Sequence, residues 1–342
     1  MYFVKMPEFV DITYGGGGAK TREIIENLIA KKAKKLNFWN GIGLESMDDG
    51  SAVPVNDGYL VFTSDSYTIK PIFFPGGDIG KLAISGTIND LAVMGAKPLA
   101  VMDNIIVEEG FSLKDLEKIL DSIETLANEN DVALIGGDFK VVERNGVDRI
   151  IIGMMGIGFA EKIVLDSGLS PGDKIIVSGP IGTHEIALLA YREGFSTENA
   201  IESDAKPLWN MISKALKVGG ITAMKDPTRG GIAGALNEMA KKSRVNVVIY
   251  EEKLPFLDEV KGLAELLGID LLEAANEGIV VMGVKEEKAY EVLEVLRRTS
   301  EGKSAEIIGE VVEGTGMVIL ETTIGGKRIV EEPIGSPTPR VC

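Results

Sequence analysis

Residues 74–98 read FPGGDIGKLAISGTINDLAVMGAKP, and the fold turns on how this stretch is placed. From Asp78 to Met94 the apolar residues recur at helical spacing, and Gly95 and Pro98 close the run. Upstream, a strand is expected around Tyr59 to Thr63, preceded by a helix from about Arg22 to Leu36. Downstream, a strand is expected near Leu99 to Val107, after which Ser112 caps a helix running to about Glu129. Val132 to Ile135 and Ile150 to Ile157 read as two more strands. Within the central helix, Asp90 falls in register with Ile79, Ala83 and Gly86, a stripe otherwise fit for burial. A carboxylate there costs several kcal/mol, to order of magnitude, unless a cation or hydrogen-bond donors meet it.

The segment Leu165 to Asp173 carries Ser, Gly and Pro, and the strand Lys174 to Val177 after it reads as the opening of a second domain. Helical patterns follow at Glu185 to Arg192, Leu208 to Lys217, Gly230 to Lys242 and Glu286 to Arg298, with strands between and after them. No short repeat at a fixed period is present, which excludes a solenoid. The end differs in character: Pro333, Pro337 and Pro339 favour an extended, flexible arm, able to span on the order of 30 Å. The expected division is 1–45, a glycine-rich segment and helix; 46–163, a first α/β domain; 170–331, a second; and 332–342, a tail bearing Cys342.

The chain has 342 residues and 45% hydrophobic content, enough to bury the cores of two ordinary domains. Its 52 acidic against 36 basic residues leave a formal net charge of −16, which argues against nucleic acid as a partner and requires a divalent cation for any nucleotide. One cysteine in the chain excludes an intramolecular disulfide, and the start MYFVKMPEFVD lacks the basic end and apolar run of a signal peptide. The expected location is the cytoplasm. No apolar stretch approaches the roughly 20 residues of a spanning helix.

Three apolar runs finish in an aspartate: LVFTSD at Asp65, VALIGGD at Asp138 and ITAMKD at Asp226. Ligands gather beyond the carboxyl ends of strands in α/β proteins, although an Asp in such a place also caps helices or starts turns. Together with Asp90 and the doublet Asp48-Asp49 they form a set of oxygen ligands with no His or Cys, which points to magnesium rather than zinc. The run Gly15-Gly16-Gly17-Gly18-Ala19-Lys20-Thr21 reads either as a mobile segment or as a phosphate cradle with Lys20 as its contact. It does not satisfy the Walker pattern, because Ala19 and Tyr14 stand where glycines are needed. Gly136-Gly137-Asp138 reads as a second glycine-rich turn. Asp226-Pro227-Thr228-Arg229-Gly230-Gly231 leads into an apolar helix whose first N–H groups, with Arg229, are placed to meet an anion. His184 reads as a helix-start or packing residue, and Trp39 and Trp209 as packing. The single His also argues against a zinc site or a Ser-His-Asp hydrolase.

These motifs carry a resemblance. MDDGSAVP, the stretch quoted first, GGDFKVVE, DPTRGG, ANEG and the terminal PRVC are similar over nearly the full length to the HypE family of the PurM-like ATP-binding superfamily. The resemblance implies two α/β domains and a homodimer whose N-terminal sheets join. It implies ATP and Mg²⁺, with Asp49, Asp90 and Asp226 as metal ligands and Asp65 and Gly137, Asp138 and Phe139 near the nucleotide. Lys140 and Glu277 would lie near the thiol. The sequence departs from the family at Ile279, where a basic residue is usual after NEG, and at Tyr14, where His is usual before the glycines. The implied activity is ATP-dependent dehydration of a carbamoyl group on Cys342 to thiocyanate, supplying cyanide for the iron of nickel–iron hydrogenase. Its partners would be the carbamoyltransferase HypF and the iron-carrying HypC-HypD complex. A thiolate at Cys342 is the nucleophile, and Glu277 is the candidate base. Two rivals stand beside this reading: a small-molecule kinase of the same superfamily, and a non-catalytic carrier using the tail thiol as a metal ligand.

Overall fold

The structure, a computed structural model, describes residues 8–195, 201–335 and 338–342. Residues 1–7, part of the start weighed against a signal peptide, and Pro337 of the tail lie outside the described residues.

A single turn at Ile12–Gly15 leads into α1 (Gly18–Ile24), which continues as a π-helical turn over Ile25–Ala30. The helix expected to Leu36 thus lies earlier in the chain than the periodicity suggests. Lys31, Lys32, Lys34 and Lys35 repel one another at helical spacing, and no residue of this helix is buried to offset that. The first sheet then forms from β1 (Ser51–Val55), β2 (Gly58–Tyr67), β5 (Lys97–Glu108), β6 (Ala133–Val142) and β7 (Ile150–Ala160), in the order β1-β2-β7-β5-β6. A two-residue ribbon of β3 (Phe73–Phe74) and β4 (Gly77–Asp78) precedes α2 (Ile79–Val93), and α3 (Leu113–Glu129) joins β5 to its parallel neighbour β6. Asp78 and Ser112 cap α2 and α3 through their side chains, as their residue types favour.

The second domain carries the sheet β14-β13-β10-β12-β8-β11-β9. In chain order its elements are β8 (Lys174–Val177), α4 (Thr183–Arg192), α5 (Trp209–Val218), β9 (Ile221–Lys225), α6 (Gly231–Ser243), β10 (Val245–Tyr250) and α7 (Asp258–Leu267). They are followed by β11 (Val281–Val284), α8 (Glu286–Arg297), β12 (Glu306–Glu313), β13 (Val318–Glu321) and β14 (Lys327–Val330). Both sheets are mainly antiparallel with helices packed on them, a mixed α/β architecture.

Three readings are corrected here. Gly136-Gly137-Asp138 is not a turn: it lies inside β6, paired in register with Met102, Asp103 and Asn104 of β5. Gly137 is needed for that pairing, since a Cβ there would stand 2.0 Å from Asp103 Oδ1. Of the three aspartates placed at strand ends, Asp65 and Asp138 are interior to β2 and β6, and only Asp226 follows its strand directly. Trp39 does not pack in a core; it is 68% exposed and stacks on Phe38. Trp209 does pack, between the cores of the two domains, and His184 is buried on the first turn of α4.

α2 is the element both domains share. Ile79, Leu82 and Ile88 pack with Ile105, Ile150 and Ile152 of the first sheet, while Ala92 and Val93 pack with Ile176, Leu208 and Met211 of the second domain. Asn89 ties the two together: its amide donates to the carbonyls of Lys206 at 3.1 Å and Glu277 at 3.2 Å, and its oxygen accepts from Leu208 N at 2.9 Å. Asn89→Leu should therefore leave buried backbone groups unpaired, costing about 2–4 kcal/mol. A fall in the urea midpoint checks this, and an unchanged midpoint would show the contact to be dispensable.

Candidate active site

A cleft of about 600 Å³ opens where β2, α2, the end of β9 and the start of α6 meet. Strand alternation places Thr63, Asp65 and Tyr67 of β2 on the face toward α2. There Asp90 Oδ2 accepts the Thr63 hydroxyl at 2.7 Å. Tyr67 fits because residue 86 is glycine, whose Cβ would otherwise meet the phenol oxygen at 2.5 Å. Asp49 enters from the loop before β1, Asp226 and Arg229 from the loop after β9, and Glu277 from the loop before β11; all four line the cleft.

The cleft holds more negative charge than it can keep. Burial pushes Asp90 well above the usual carboxylate range, and the carboxylates of Asp65, Asp226 and Asp49 push it further. Burial, then Asp49, raises Asp226 to about 8, and burial, then Asp166 and Asp49, raises Asp48 to about 7. Glu277 stands well above its ordinary value through burial, Asp226 and Asp204. The unpaired, buried Oδ2 of Asp49 has no partner among the described residues. A divalent cation would relieve this mutual repulsion, and carboxylate oxygens suit magnesium. No group of three or more His, Cys, Asp or Glu side chains among the described residues, Asp49, Asp90 and Asp226 included, is placed to hold a metal ion by itself. A cation here would have to take most of its ligands from a bound phosphate or water.

One counter-charge is built in. Lys225 Nζ lies 2.5 Å from Asp49 Oδ1, 3.3 Å from Glu238 Oε2 and 3.7 Å from Asp166 Oδ2. Burial works against its charge, yet those three acids hold it protonated. Sequence reading missed this group. Its one signal was Lys225 directly before Asp226 in ITAMKD, while Asp166 and Glu238 are distant in sequence and carry no motif.

The tail closes the cleft, docked rather than free. Arg192 donates to the carbonyls of Pro339 at 3.1 Å and Arg340 at 2.7 Å, and Lys70 N donates to Arg340 O at 3.2 Å. His184 Nε2 donates to Val341 O at 2.7 Å, which leaves Nδ1 to accept the Ser203 hydroxyl, also at 2.7 Å. Thr68 Oγ1 donates to Cys342 O at 3.3 Å, and Val341 is buried in the first domain's core. The thiol faces Glu277 and Arg229. Burial pushes it up to about 12; Arg229 opposes the shift and Glu277 and Asp65 add to it.

Seven predicted residues thus share one cleft: Cys342, Glu277, Asp65, Arg229, Asp49, Asp90 and Asp226. Five do not line it. Lys20 Nζ is held by Thr13 Oγ1 at 2.7 Å and sits over the Tyr14 ring, and the backbone N–H groups of Ala19 and Lys20 donate to Pro333 O and Ile334 O. The glycine run cradles the chain's own tail: a Cβ on Gly18 would stand 2.2 Å from Pro333 O. Gly137, Asp138, Phe139 and Lys140 lie on the exposed edge strand β6, with Lys140 paired to Asp138 at 2.5 Å. The start of α6 is also partly taken, because Gly231 N donates to Thr228 O and Ala233 N to Leu272 O. Ile279, where the family usually carries a basic residue, is buried in the second core.

Two comparisons with families place the chain. Residues 47–160 match the family described as AIR synthase related protein, N-terminal domain, and residues 170–320 match its C-terminal domain. A carbamoyl dehydratase HypE of Rhizobium leguminosarum bv. viciae is 42% identical over 338 residues, covering 97% of this chain and 95% of the relative. A crystal structure of a HypE-HypF complex superposes with a TM-score of 0.84 at 42% identity, covering 91% of this chain and 99% of the other. A HypE crystal structure in complex with ATP superposes with a TM-score of 0.81 at 34% identity, covering 97% and 99%.

Arg192→Ala should loosen the tail seat. A freed thiol returns toward its ordinary pKa of about 8.5, so its thiolate fraction at pH 8 rises at least about tenfold. Maleimide labelling of Cys342 should accelerate accordingly, and equal rates in both proteins would show that the carbonyl bonds do not hold the tail.

Proposed function

This chain belongs to the HypE family of carbamoyl dehydratases, and on that premise we propose that it uses ATP to dehydrate a carbamoyl group carried on the thiol of its own Cys342. The observation that carries the reading is the docked tail, which sets the chain's one cysteine beside Glu277 and Arg229 in a carboxylate-lined cleft.

The carbamoyl group arrives from the carbamoyltransferase HypF, as the HypE-HypF complex of a relative suggests. Cys342 must leave its seat to receive it, since the docked thiol is poorly ionised. Once the tail redocks, the carboxamide oxygen attacks the γ-phosphorus of ATP, giving R–S–C(=NH)–O–PO₃²⁻, ADP and one proton. The C–O bond then breaks, the remaining N–H proton passes to the departing phosphate, and R–S–C≡N remains. Glu277 is the base at the nitrogen. Arg229, which lines the cleft with the thiol, steadies the charge that develops on the carboxamide oxygen. Magnesium would be held by Asp49, Asp90 and Asp226 and would neutralise the ATP phosphates. The cyanide would pass to iron on the HypC-HypD complex.

A homodimer completes the proposal. β6 pairs on one side only, and its exposed Leu134, Ile135, Phe139 and Val141 form an apolar edge suited to a second copy. Such pairing accounts for Gly137, Asp138, Phe139 and Lys140 as contributions to a neighbour's cleft. The proposed location is the cytoplasm, where ATP is available; no helix among the described residues is long and apolar enough to cross a membrane.

Intact mass tests the reading. After incubation with MgATP, carbamoyl phosphate and the carbamoyltransferase, the protein should gain one carbamoyl mass and then lose one water only when ATP is present. Cys342→Ala should show neither change. An unmodified Cys342 beside an active transferase would instead support a small-molecule kinase or a metal carrier.

A further inference from the structure

Arg192, His184 and the Lys70 N–H seat the tail through main-chain carbonyls. Every residue carries a carbonyl, so these bonds hold a length of chain without choosing which residue stands where. Register has to come from side chains. Val341 supplies an apolar one, buried in the first domain's core. Arg340 supplies the charged one: its Nε donates to Thr68 O at 2.6 Å, and its Nη1 donates to Asp148 Oδ2.

Arg340 is also where the backbone turns. Its φ is +57°, in the left-handed region that glycine enters freely and a bulky side chain enters only under strain. Just past this turn Val341 enters the core and Cys342 reaches the cleft. Backbone geometry alone would favour glycine at position 340. An arginine there keeps the turn only if its side chain is held from outside.

Asp148 is presented for that hold. It lies between β6 and β7, and the next residue, Arg149, is itself left-handed at φ +69°. Arg149 is fastened in turn, with Nη2 3.4 Å from Asp115 Oδ2 on α3 and its guanidinium 5.6 Å from the centre of the Phe111 ring. Lys70 Nζ also reaches Asp148 Oδ2, at 2.9 Å, so the carboxylate keeps one cation when the tail is away. The hydrogen bonds from Lys70 and Arg340 hold the Asp148 carboxyl below its ordinary range.

We propose that Asp148 is a positioning residue whose ion pair with Arg340 latches the left-handed turn of the tail, setting Cys342 in the cleft while closed and freeing the thiol for loading when open. What the freed thiol then receives rests on the function proposed above; the latch does not. The Asp148 and Arg340 side chains are 45% and 25% exposed, so dissolved salt weakens the pair. A pair this exposed holds the tail without locking it.

The test is the rate at which a maleimide labels Cys342 in full-length protein, with no ATP and no transferase present. Asp148→Asn should accelerate labelling about two- to fivefold, and added salt should speed the wild type more than this variant. Arg340→Ala should accelerate it by about tenfold, because the charged bond to Thr68 O goes too; adding Asp148→Asn to it should change nothing further. Arg340→Gly loses the same contacts but takes the turn without strain, so it should label about threefold more slowly than Arg340→Ala. A tail that is merely flexible would give the reverse order. Equal rates for wild type and Asp148→Asn, additive effects of Asp148→Asn and Arg340→Ala, or Arg340→Gly labelling faster than Arg340→Ala would each overturn the latch. Should Asp148→Asn lose its cooperative thermal transition, the two Arg340 variants decide alone. At limiting carbamoyltransferase, carbamoylation of Asp148→Asn should rise by the same factor as its labelling. Wild-type protein that an active transferase never carbamoylates would sink the dehydratase reading, and the labelling rates would still decide the latch.

Discussion

The burial of α2 on nearly every face is the constraint from which the rest follows. A helix with no solvent-facing stripe must find a partner in protein for every polar side chain it carries. Asn89 finds three in the second domain, which fixes the two domains against each other. Thr87 meets the Tyr67 hydroxyl. Asp90 finds one donor, Thr63, and otherwise faces carboxylates that repel it. The cleft is thus a place where packing has gathered acids at some cost to the free chain, and a cation with a phosphate ligand is the natural remedy.

The tail obeys a different logic. Arg192, His184 and the Lys70 N–H all bind main-chain carbonyls of residues 339–341, so the seat fixes where the backbone ends and leaves the last side chain to face the cleft. Each such bond contributes about 0.5–1.5 kcal/mol net, a sum that holds the tail yet remains reversible. Docking raises the thiol pKa, which suits a group that has already been loaded better than one waiting to attack. Loading outside and chemistry inside follow from the same set of contacts.

Much of this was legible in the sequence. α2 and α3 announced themselves by period and by their caps Asp78 and Ser112, and Asp90 was conspicuous because no apolar stripe tolerates it without a reason. The resemblance brought together six residues that the fold does set in one cleft, and the reading of the DPTRGG helix start supplied the seventh, Arg229. What local reading missed depends on distant pairing. Gly136-Gly137-Asp138 has turn chemistry but sits in β6 because β5 pairs with it, a contact some thirty-five residues away in the chain. The glycine run before α1 suggests a phosphate cradle; the N–H groups of its Ala19 and Lys20 are taken by carbonyls more than three hundred residues on, while Gly17 and Gly18 line the cleft. Lys225 and its acids Asp166 and Glu238 come from separate elements, and no spacing rule connects them.

The most direct test of the account is the infrared spectrum of carbamoyl-loaded protein before and after MgATP, using ¹³C-labelled carbamoyl as a control. The account predicts an ATP-dependent nitrile stretch that shifts with the label and stays with the protein through desalting, as a thiocyanate on Cys342 must. Consumption of ATP with no nitrile band would contradict it, because the phosphoryl group would then be going to water or to another acceptor.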